Sequence, residues 1–252
     1  MDSRTELIKA FYAALPKDRL KLETRDHGFP FLDAMLSAGI TLEYGERVLL
    51  SDIYKYKLAN VPGWKMDELL SAHVRKECNV CLYFNDGANS LFCFNLDKAP
   101  KTGDIPNPPE MTLGLTLLRD ILAGLRCEPL IVQSGKGYHL WCRLTEPVGN
   151  EDLYNFMMRA MAKAFYGLHR QGLDHNKINA RFYPDPRTLD KISLRLCGSE
   201  HMKTRTFSHV LAPDGVLDEE ASWRALELHL NAKPITPEVF RDACQSLTIK
   251  SP

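Results

Sequence analysis

The fold of this chain is indicated first by residues 129–144, which read PLIVQSGKGYHLWCRL. Two apolar runs of strand length, Pro129–Gln133 and Leu140–Leu144, flank the short segment Ser134–His139, and this pattern predicts a tight β-hairpin. The turn carries a hydroxyl, two glycines, an ammonium and an imidazole, which together suit an anion such as phosphate. An ordinary glycine hairpin with surface polar groups is the alternative, and the turn alone does not separate the two.

The segments on both sides of the hairpin extend this pattern. Amphipathic helices are expected at Glu110–Arg126 and Glu151–Leu168. Strands are expected in pairs before, between and after them, at Cys78–Phe84, Leu91–Leu96, Pro129–Gln133, Leu140–Leu144, Ile192–Leu196 and Thr206–Leu211. The order ββ-α-ββ-α-ββ predicts an α+β fold, with a mostly antiparallel sheet and helices packed on one face. The opposite face would then be available for a functional site.

The two ends of the chain are expected to be helical. The N-terminal helices are predicted over 4–24, Phe31–Ser37, Leu50–Leu58 and Met66–Lys76, and the C-terminal ones over Glu219–Leu230 and Pro237–Leu247. The predicted organisation is a helical N-terminal portion at 1–76, a core at 77–215, and C-terminal helices packed on the core at 216–252. The polar segment Gln171–Lys191 is expected to be a long loop.

Composition limits the choice of function without deciding it. Among 252 residues, 44% are hydrophobic, and Lys+Arg equals Asp+Glu at 32 each. A phosphate or nucleic-acid site therefore depends on local clustering rather than on overall charge. No apolar run approaches the length of about 18 residues that a membrane span needs, and the N-terminus lacks a signal-peptide pattern. The seven scattered cysteines favour a reducing compartment, so we expect a cytoplasmic protein without a membrane partner.

The pair Cys78 and Cys81 has the spacing of a zinc-binding motif. Both cysteines lie in an apolar strand, and no second cysteine pair or close histidine pair follows. Because structural zinc needs four convergent ligands, we interpret them as buried strand cysteines.

The first candidate site lies at the end of the strand Leu91–Leu96. Strand alternation puts Asn95 and Asp97 on one face, and two oxygen-bearing side chains suit a hard cation such as Mg²⁺ or Mn²⁺. A strand end that enters a turn is the alternative, since Asn and Asp are common there.

A second basic turn follows the strand Ile192–Leu196. Arg195 ends that strand, Gly198 and Ser199 form a turn, and His201 and Lys203 follow at alternate positions. These cations, with a hydroxyl and a glycine, again suit phosphates. A solvated basic loop is the alternative.

The order of these three motifs resembles the archaeo-eukaryotic primase superfamily, the catalytic module of primases and primase-polymerases. Members share an RRM-like sheet, an Asp-X-Asp or Asp-X-Glu strand end, a Ser-X-His-type strand with glycines, a later metal-binding Asp, and in many primases a basic stretch with Ser-X-His-X-Lys-Thr. The resemblance covers about residues 78–211. It implies a nucleotidyltransferase that adds NTPs or dNTPs to a 3′-hydroxyl on a single-stranded DNA template with a primer, using two Mg²⁺ or Mn²⁺ ions.

The resemblance also implies roles for individual residues. Metal ligation falls to Asp97, Asn95 and Asp185, and binding of the nucleotide phosphates falls to Ser134, Lys136, His139, Arg195, Ser199, His201 and Lys203. Because the chain lacks a helicase motor, replication would need partners such as a separate helicase, or the chain would be a fragment of a larger protein. Replication by a mobile element and repair synthesis both fit.

Two positions depart from the family pattern. Asn95 is neutral where the family has a second carboxylate, so affinity for the second ion should fall. For the third carboxylate we favour Asp185 from its spacing to Arg195, with Asp174 and Asp190 as alternatives. The first departure supports a rival function, a non-catalytic descendant that binds nucleotide or nucleic acid. A generic RRM-like RNA binder is a weaker rival, because it would need exposed aromatic residues on two central strands.

Overall fold

The chain forms two compact units in a computed structural model. Unit 1 comprises Met1–Asn85 and Thr188–Asn231, and unit 2 comprises Asp86–Arg187 and Ala232–Pro252. The structure describes residues 2–25, 30–48, 53–99, 108–189, 191–202, 205–211 and 218–247. The predicted boundaries at 76/77 and 215/216 do not coincide with this division.

Unit 2 contains the β-α-β-β-α-β arrangement of an RRM-like sheet. Its elements are β5 (Ala88–Lys98), α4 (Pro109–Gly124), β6 (Leu130–Ser134), β7 (Gly137–Gly149), α5 (Asn150–Arg170), β8 (Ile178–Tyr183) and α7 (Pro237–Ser246). These strands lie in the order β6-β7-β5-β8, and every neighbouring pair is antiparallel. The predicted α+β class, with a mostly antiparallel RRM-like sheet, is therefore confirmed.

Helices α4 and α5 cover one face of this sheet. Phe92, Phe94 and Leu96 alternate along β5 and pack with Leu118 of α4 and Phe156 of α5 in one buried cluster. The Phe92 and Phe156 rings meet edge to face, with centroids 5.8 Å apart. Strand alternation sends the remaining β5 side chains, including Asn95 and Asp97, to the other face. The helices thus pack on one face, as predicted.

Unit 1 is built on a second antiparallel sheet. Its elements are α1 (Ser3–Phe11), β1 (Leu20–Thr24), α2 (Pro30–Ser37), β2 (Thr41–Val48), β3 (Ile53–Ala59), α3 (Gly63–Val74), β4 (Asn79–Leu82), β9 (Leu194–Arg195), β10 (His209–Val210) and α6 (Glu219–Asn231). The sheet order is β2-β3-β1-β4-β9. Cys78 and Cys81 are buried at β4, as predicted, and burial raises the pKa of the Cys81 thiol to about 12.

Four secondary-structure predictions need correction. The segment 1–76 is not wholly helical, because β1 replaces the end of the helix predicted over 4–24 and β3 replaces the one predicted at Leu50–Leu58. Both segments alternate buried and partly buried residues, which is a strand period. The segment Gln171–Lys191 contains β8 and is not a continuous loop. Finally, β4 pairs with β1 and β9, so it lies in a different sheet from β5.

Candidate functional site

The β6–β7 hairpin forms as predicted, but its turn is only the two residues Gly135 and Lys136, and His139 lies within β7. Ser134 pairs with Gly137 across the turn, and the Lys98 N–H donates to the Lys136 carbonyl at 3.3 Å. A Cβ added to Gly137 would lie 1.8 Å from the Leu96 carbonyl oxygen. The close approach that this glycine permits is therefore to the neighbouring strand β5.

Strand register brings the predicted residues of unit 2 together in two rows. The first row holds Ser134, Gly137, Asp97 and Asn179, and the second holds Val132, His139, Asn95 and Arg181. Directly opposed residues of an antiparallel sheet share a face, with Cβ atoms about 5 Å apart. These two rows, on the face opposite α4 and α5, are called the polar face below. Three segments that are distant in the sequence thus meet there.

The Asn95 amide is turned with its nitrogen toward the carboxylate of Asp97. Asn95 Nδ2 donates to Asp97 Oδ2 at 3.3 Å, and Asn95 is only 6% exposed. Its Oδ1 is buried and has no hydrogen-bond partner among the described residues. A buried carbonyl oxygen without a donor is costly, by about 1–3 kcal/mol, and such atoms in native proteins commonly face a ligand, ion or water.

The strand β8 lies within the segment predicted to be a loop, and it adds side chains to the polar face. Arg181 is exposed and lies opposite Asn95, while Tyr183 is buried opposite Cys93. Burial raises the pKa of the Tyr183 phenol, and the Arg181 charge together with hydrogen bonds to Asn95 and Arg181 opposes that rise. Alternation of Ile178, Ala180 and Phe182 with polar residues was the sequence signal for this strand.

The aspartate that we favoured as third metal ligand does not join the polar face. Asp185 follows the end of β8, where Tyr183 lies about 13 Å along the strand from Asn179. The Arg187 guanidinium binds the Asp185 carboxylate, with Nη2–Oδ2 at 2.7 Å, and holds its pKa below the usual value. Position along the strand and this ion pair both separate Asp185 from Asp97.

Of the two alternative aspartates, Asp174 does not lie on the polar face either. Asp174 precedes β8, and its Oδ1 accepts from the Asn176 backbone N–H at 3.0 Å. Its charge acts on Glu110 of α4, a helix that packs on the opposite face of the sheet. Asp190 lies outside the described residues.

The second basic turn belongs to unit 1. Arg195 pairs with Cys81, and the Ser199 hydroxyl is fully buried and donates to the Cys78 carbonyl at 3.4 Å. His201 exchanges backbone hydrogen bonds with residues 205 and 206, and Lys203 lies outside the described residues. Gly198 has φ +85°, and a Cβ there would lie 2.5 Å from the Trp223 ring.

A buried histidine that sequence reasoning missed anchors this turn. His73 Nδ1 accepts from the Val80 N–H at 3.1 Å, and Nε2 donates to the Cys197 carbonyl at 2.8 Å. The Tyr12 hydroxyl accepts from the Cys197 N–H at 3.1 Å. Burial lowers the pKa of His73 to about 4, so the ring is neutral at pH 7. These contacts fix the turn to α3 and to Tyr12 at the C-terminal end of α1.

The polar face does not fit the pair of divalent ions that the resemblance implies. In its two rows Asp97 is the one carboxylate, its neighbour Asn95 presents an N–H to it, and Arg181 contributes a positive charge. Within the described ranges, no group of three or more His, Cys, Asp or Glu side chains could hold a metal ion. Two-ion sites need several carboxylates to offset the charge of the ions.

Comparisons with known proteins find similarity in structure alone. No family model and no curated protein matches the chain. None of the helices in the described segments is long and apolar enough to cross a membrane.

Three solved structures similar to this chain are primase or polymerase domains. The polymerase domain of Mycobacterium tuberculosis Ligase D, in complex with DNA, has a TM-score of 0.45 and 14% identity over 97% of this chain and 88% of its own. The catalytic domain of primase RepB′, in complex with initiator DNA, has a TM-score of 0.39 and 15% identity over 98% and 96%. The AEP domain of the cyanophage S-2L primase-polymerase has a TM-score of 0.39 and 13% identity over 88% and 96%.

Proposed function

We propose that the polar face binds a nucleoside triphosphate and that the chain is a template-dependent nucleotidyltransferase of primase-polymerase type. The observation that carries this proposal is the convergence of Asp97, His139 and Ser134 on two adjacent rows of one sheet face. The three residues come from the motifs whose order in the sequence resembles primases. The carboxylate comes from β5, whereas the imidazole and the hydroxyl come from the β6–β7 hairpin.

The proposed step is attack of a primer 3′-hydroxyl on the α-phosphorus of the bound nucleotide. A new P–O bond forms, the bond to pyrophosphate breaks, and the hydroxyl proton passes to the Asp97 carboxylate before it leaves to solvent. His139, Ser134 and Lys136 hold the phosphates, and their N–H and O–H groups offset the negative charge that develops on the pyrophosphate. The proposed substrates are NTPs or dNTPs, with a single-stranded DNA template and a primer.

The ions that the resemblance implies are Mg²⁺ or Mn²⁺. The side chains of the polar face do not fit a pair of these ions, because Asp97 is the one carboxylate in its two rows. The proposed step therefore uses the chain's own residues. The proposed further partner is a separate helicase, in a replication or repair setting. The proposed cytoplasmic location rests on the scattered cysteines.

A second candidate function is nucleotide binding without transfer. The hydrogen bond from Asn95 to Asp97 and the ion pair between Asp185 and Arg187 favour it, because both remove carboxylates from a catalytic set. The RNA-binder rival finds no such support. The aromatic residues of the central strands β5 and β7 are buried or pack on the helical core.

Primer extension on a single-stranded DNA template separates these candidates. We expect extension by the wild-type protein with Mg²⁺ or Mn²⁺, and its loss in Asp97→Ala. Absence of product under both ions, with nucleotide binding retained, would leave the binding-only function. Absence of both product and nucleotide binding would remove the proposal.

A further inference from the structure

The strongest unexplained feature of the polar face is the way Asn95 meets Asp97. In a shared ion site two oxygens converge on one cation, whereas here the Asn95 N–H points at a carboxylate oxygen 3.3 Å away. The hydrogen bond offsets part of the Asp97 charge, which is the effect an ion would have. It also leaves Asn95 Oδ1 buried and without a described donor.

The position opposite Asn95 carries a positively charged side chain, that of Arg181, where a metal site would need another carboxylate. Arg181 lies directly across from Asn95 on β8 and diagonally across from Asp97, a separation of about 7–8 Å that a long side chain spans. Arginine stays charged at any physiological pH, and its planar fork of donors matches phosphate oxygens. Arg181 is exposed, so it can contact a ligand on this face.

The formal charges of the polar face therefore cancel, so the face does not repel an anion. A face with three carboxylates repels a triphosphate unless divalent ions intervene, because like charges a few ångströms apart cost free energy. Here Asp97 contributes one negative charge, Arg181 one positive charge, and the Asn95 amide none. The charge of Asp97, which would otherwise repel the nucleotide, is balanced by that of Arg181.

We infer that the polar face binds nucleotide phosphates directly through Arg181, without a pair of divalent ions. This inference rests on the proposed function, because it specifies how the same face holds its nucleotide. The Asn95 carbonyl oxygen accepts from a hydroxyl or N–H of the nucleoside, which supplies the donor that the described residues do not provide. Nucleotide binding by this chain therefore does not depend on divalent ions.

Calorimetric titration with dATP, in excess EDTA and in excess Mg²⁺, tests the inference. We expect the two dissociation constants of the wild-type protein to agree within about threefold. Arg181→Ala should weaken binding by about tenfold under both conditions, and Arg181→Lys should weaken it less because the charge remains. Arg119→Ala is the matched control, since Arg119 is an exposed arginine of α4 paired with Asp120. The dATP affinity of the Arg119→Ala variant should equal that of the wild type.

Asn95→Asp provides an independent arm of the experiment. It replaces the donor with a second carboxylate beside Asp97, so binding should weaken in EDTA and recover with Mg²⁺. Equal affinity of this variant in both conditions would contradict the inference. Wild-type binding that requires Mg²⁺ and ignores Arg181→Ala would overturn the inference and leave the proposed function standing. Failure of the wild type to bind dATP under either condition would overturn both.

Discussion

The polar face of unit 2 and the basic turn of unit 1 carry similar residues but use them differently. Both combine a serine, a glycine, a histidine and a basic residue, and both were predicted to hold phosphates. On the polar face, Arg181 is exposed and Asn95 Oδ1 lacks a described donor. In the turn, Ser199 donates inward to Cys78, and the Cys197 carbonyl accepts from His73. The direction of the hydrogen bonds, more than residue type, separates the proposed ligand face from the anchored turn.

The largest effect is expected at Asp97, because the proposal assigns the proton of the 3′-hydroxyl to it. Asp97→Ala should lower the rate of primer extension by about 10³-fold, within the usual range for a lost acid–base group. Rates of single-nucleotide addition measure this. Asp120→Ala is the control, since Asp120 is an exposed carboxylate on α4. A residual rate within tenfold of the wild type, with both variants folded, would remove Asp97 from the reaction.

The anchored turn predicts a strong pH dependence of stability from His73. Its pKa falls from 6.5 to about 4 on folding. The unfolded chain therefore binds a proton between these values while the folded chain does not, and acidification favours unfolding. Stability from this residue is complete above pH 6.5, and about 3 kcal/mol of it is lost as the pH falls to about 4.

Urea unfolding of the wild type and of His73→Gln measures this contribution. The glutamine cannot titrate, so the difference in unfolding free energy between the two proteins should shrink as the pH falls through this range. A difference that stays constant with pH would mean that the ring is already charged or solvated in the folded protein.

His139 tests the ligand side of the comparison. His139→Ala should weaken dATP binding by about tenfold, because it removes a hydrogen-bonding group of the polar face, and should leave affinity for template DNA nearly unchanged. Fluorescence anisotropy with labelled nucleotide and labelled oligonucleotide compares the two. Equal losses for both ligands would place His139 in a general structural role.

Ser199 tests the structural side with a similar change. Ser199→Ala removes a hydroxyl that is buried against Cys78, so the free energy of unfolding should fall by about 1 kcal/mol. Nucleotide affinity should stay within about twofold of the wild type. A loss of affinity as large as that of His139→Ala would make the turn a phosphate site after all.

The smallest expected effect is a gain. Asn95→Asp restores a second carboxylate next to Asp97, and synthesis with Mn²⁺ should rise by about threefold if this position once served an ion. Unchanged or lower synthesis would mean that the site is adapted to the amide. Single-nucleotide addition with and without Mn²⁺ distinguishes these results.

The local part of this fold was predictable from the sequence. Apolar runs of strand length gave the hairpin strands, strand alternation put Asn95 and Asp97 on one face, and helical periodicity gave α4 and α5. The strands β1 and β3 were missed because short runs of mixed residues also fit a helix. The strand β8 was missed because it lies in a segment rich in Asn, Asp and Pro, which are typical of loops.

The non-local part of the site was not predictable. Spacing favoured Asp185 as the third acid, but register decides which side chain lies beside Asp97 and Asn95, and register put Asn179 and Arg181 there. Similarly, the sequence contains no sign that His73 reaches Cys197 across the unit 1 fold. Pairing between distant segments depends on tertiary packing, which one sequence does not display.

A crystal structure of the protein soaked with dATP tests the central claim most directly. We expect the triphosphate on the polar face, with phosphate oxygens within hydrogen-bond distance of His139 and Arg181. Because α4 and α5 pack on the other face, neither helix should lie between the phosphates and the sheet. Nucleotide bound elsewhere, such as in the apolar groove of about 560 Å³ that Met158, Phe165 and His175 line, would contradict it.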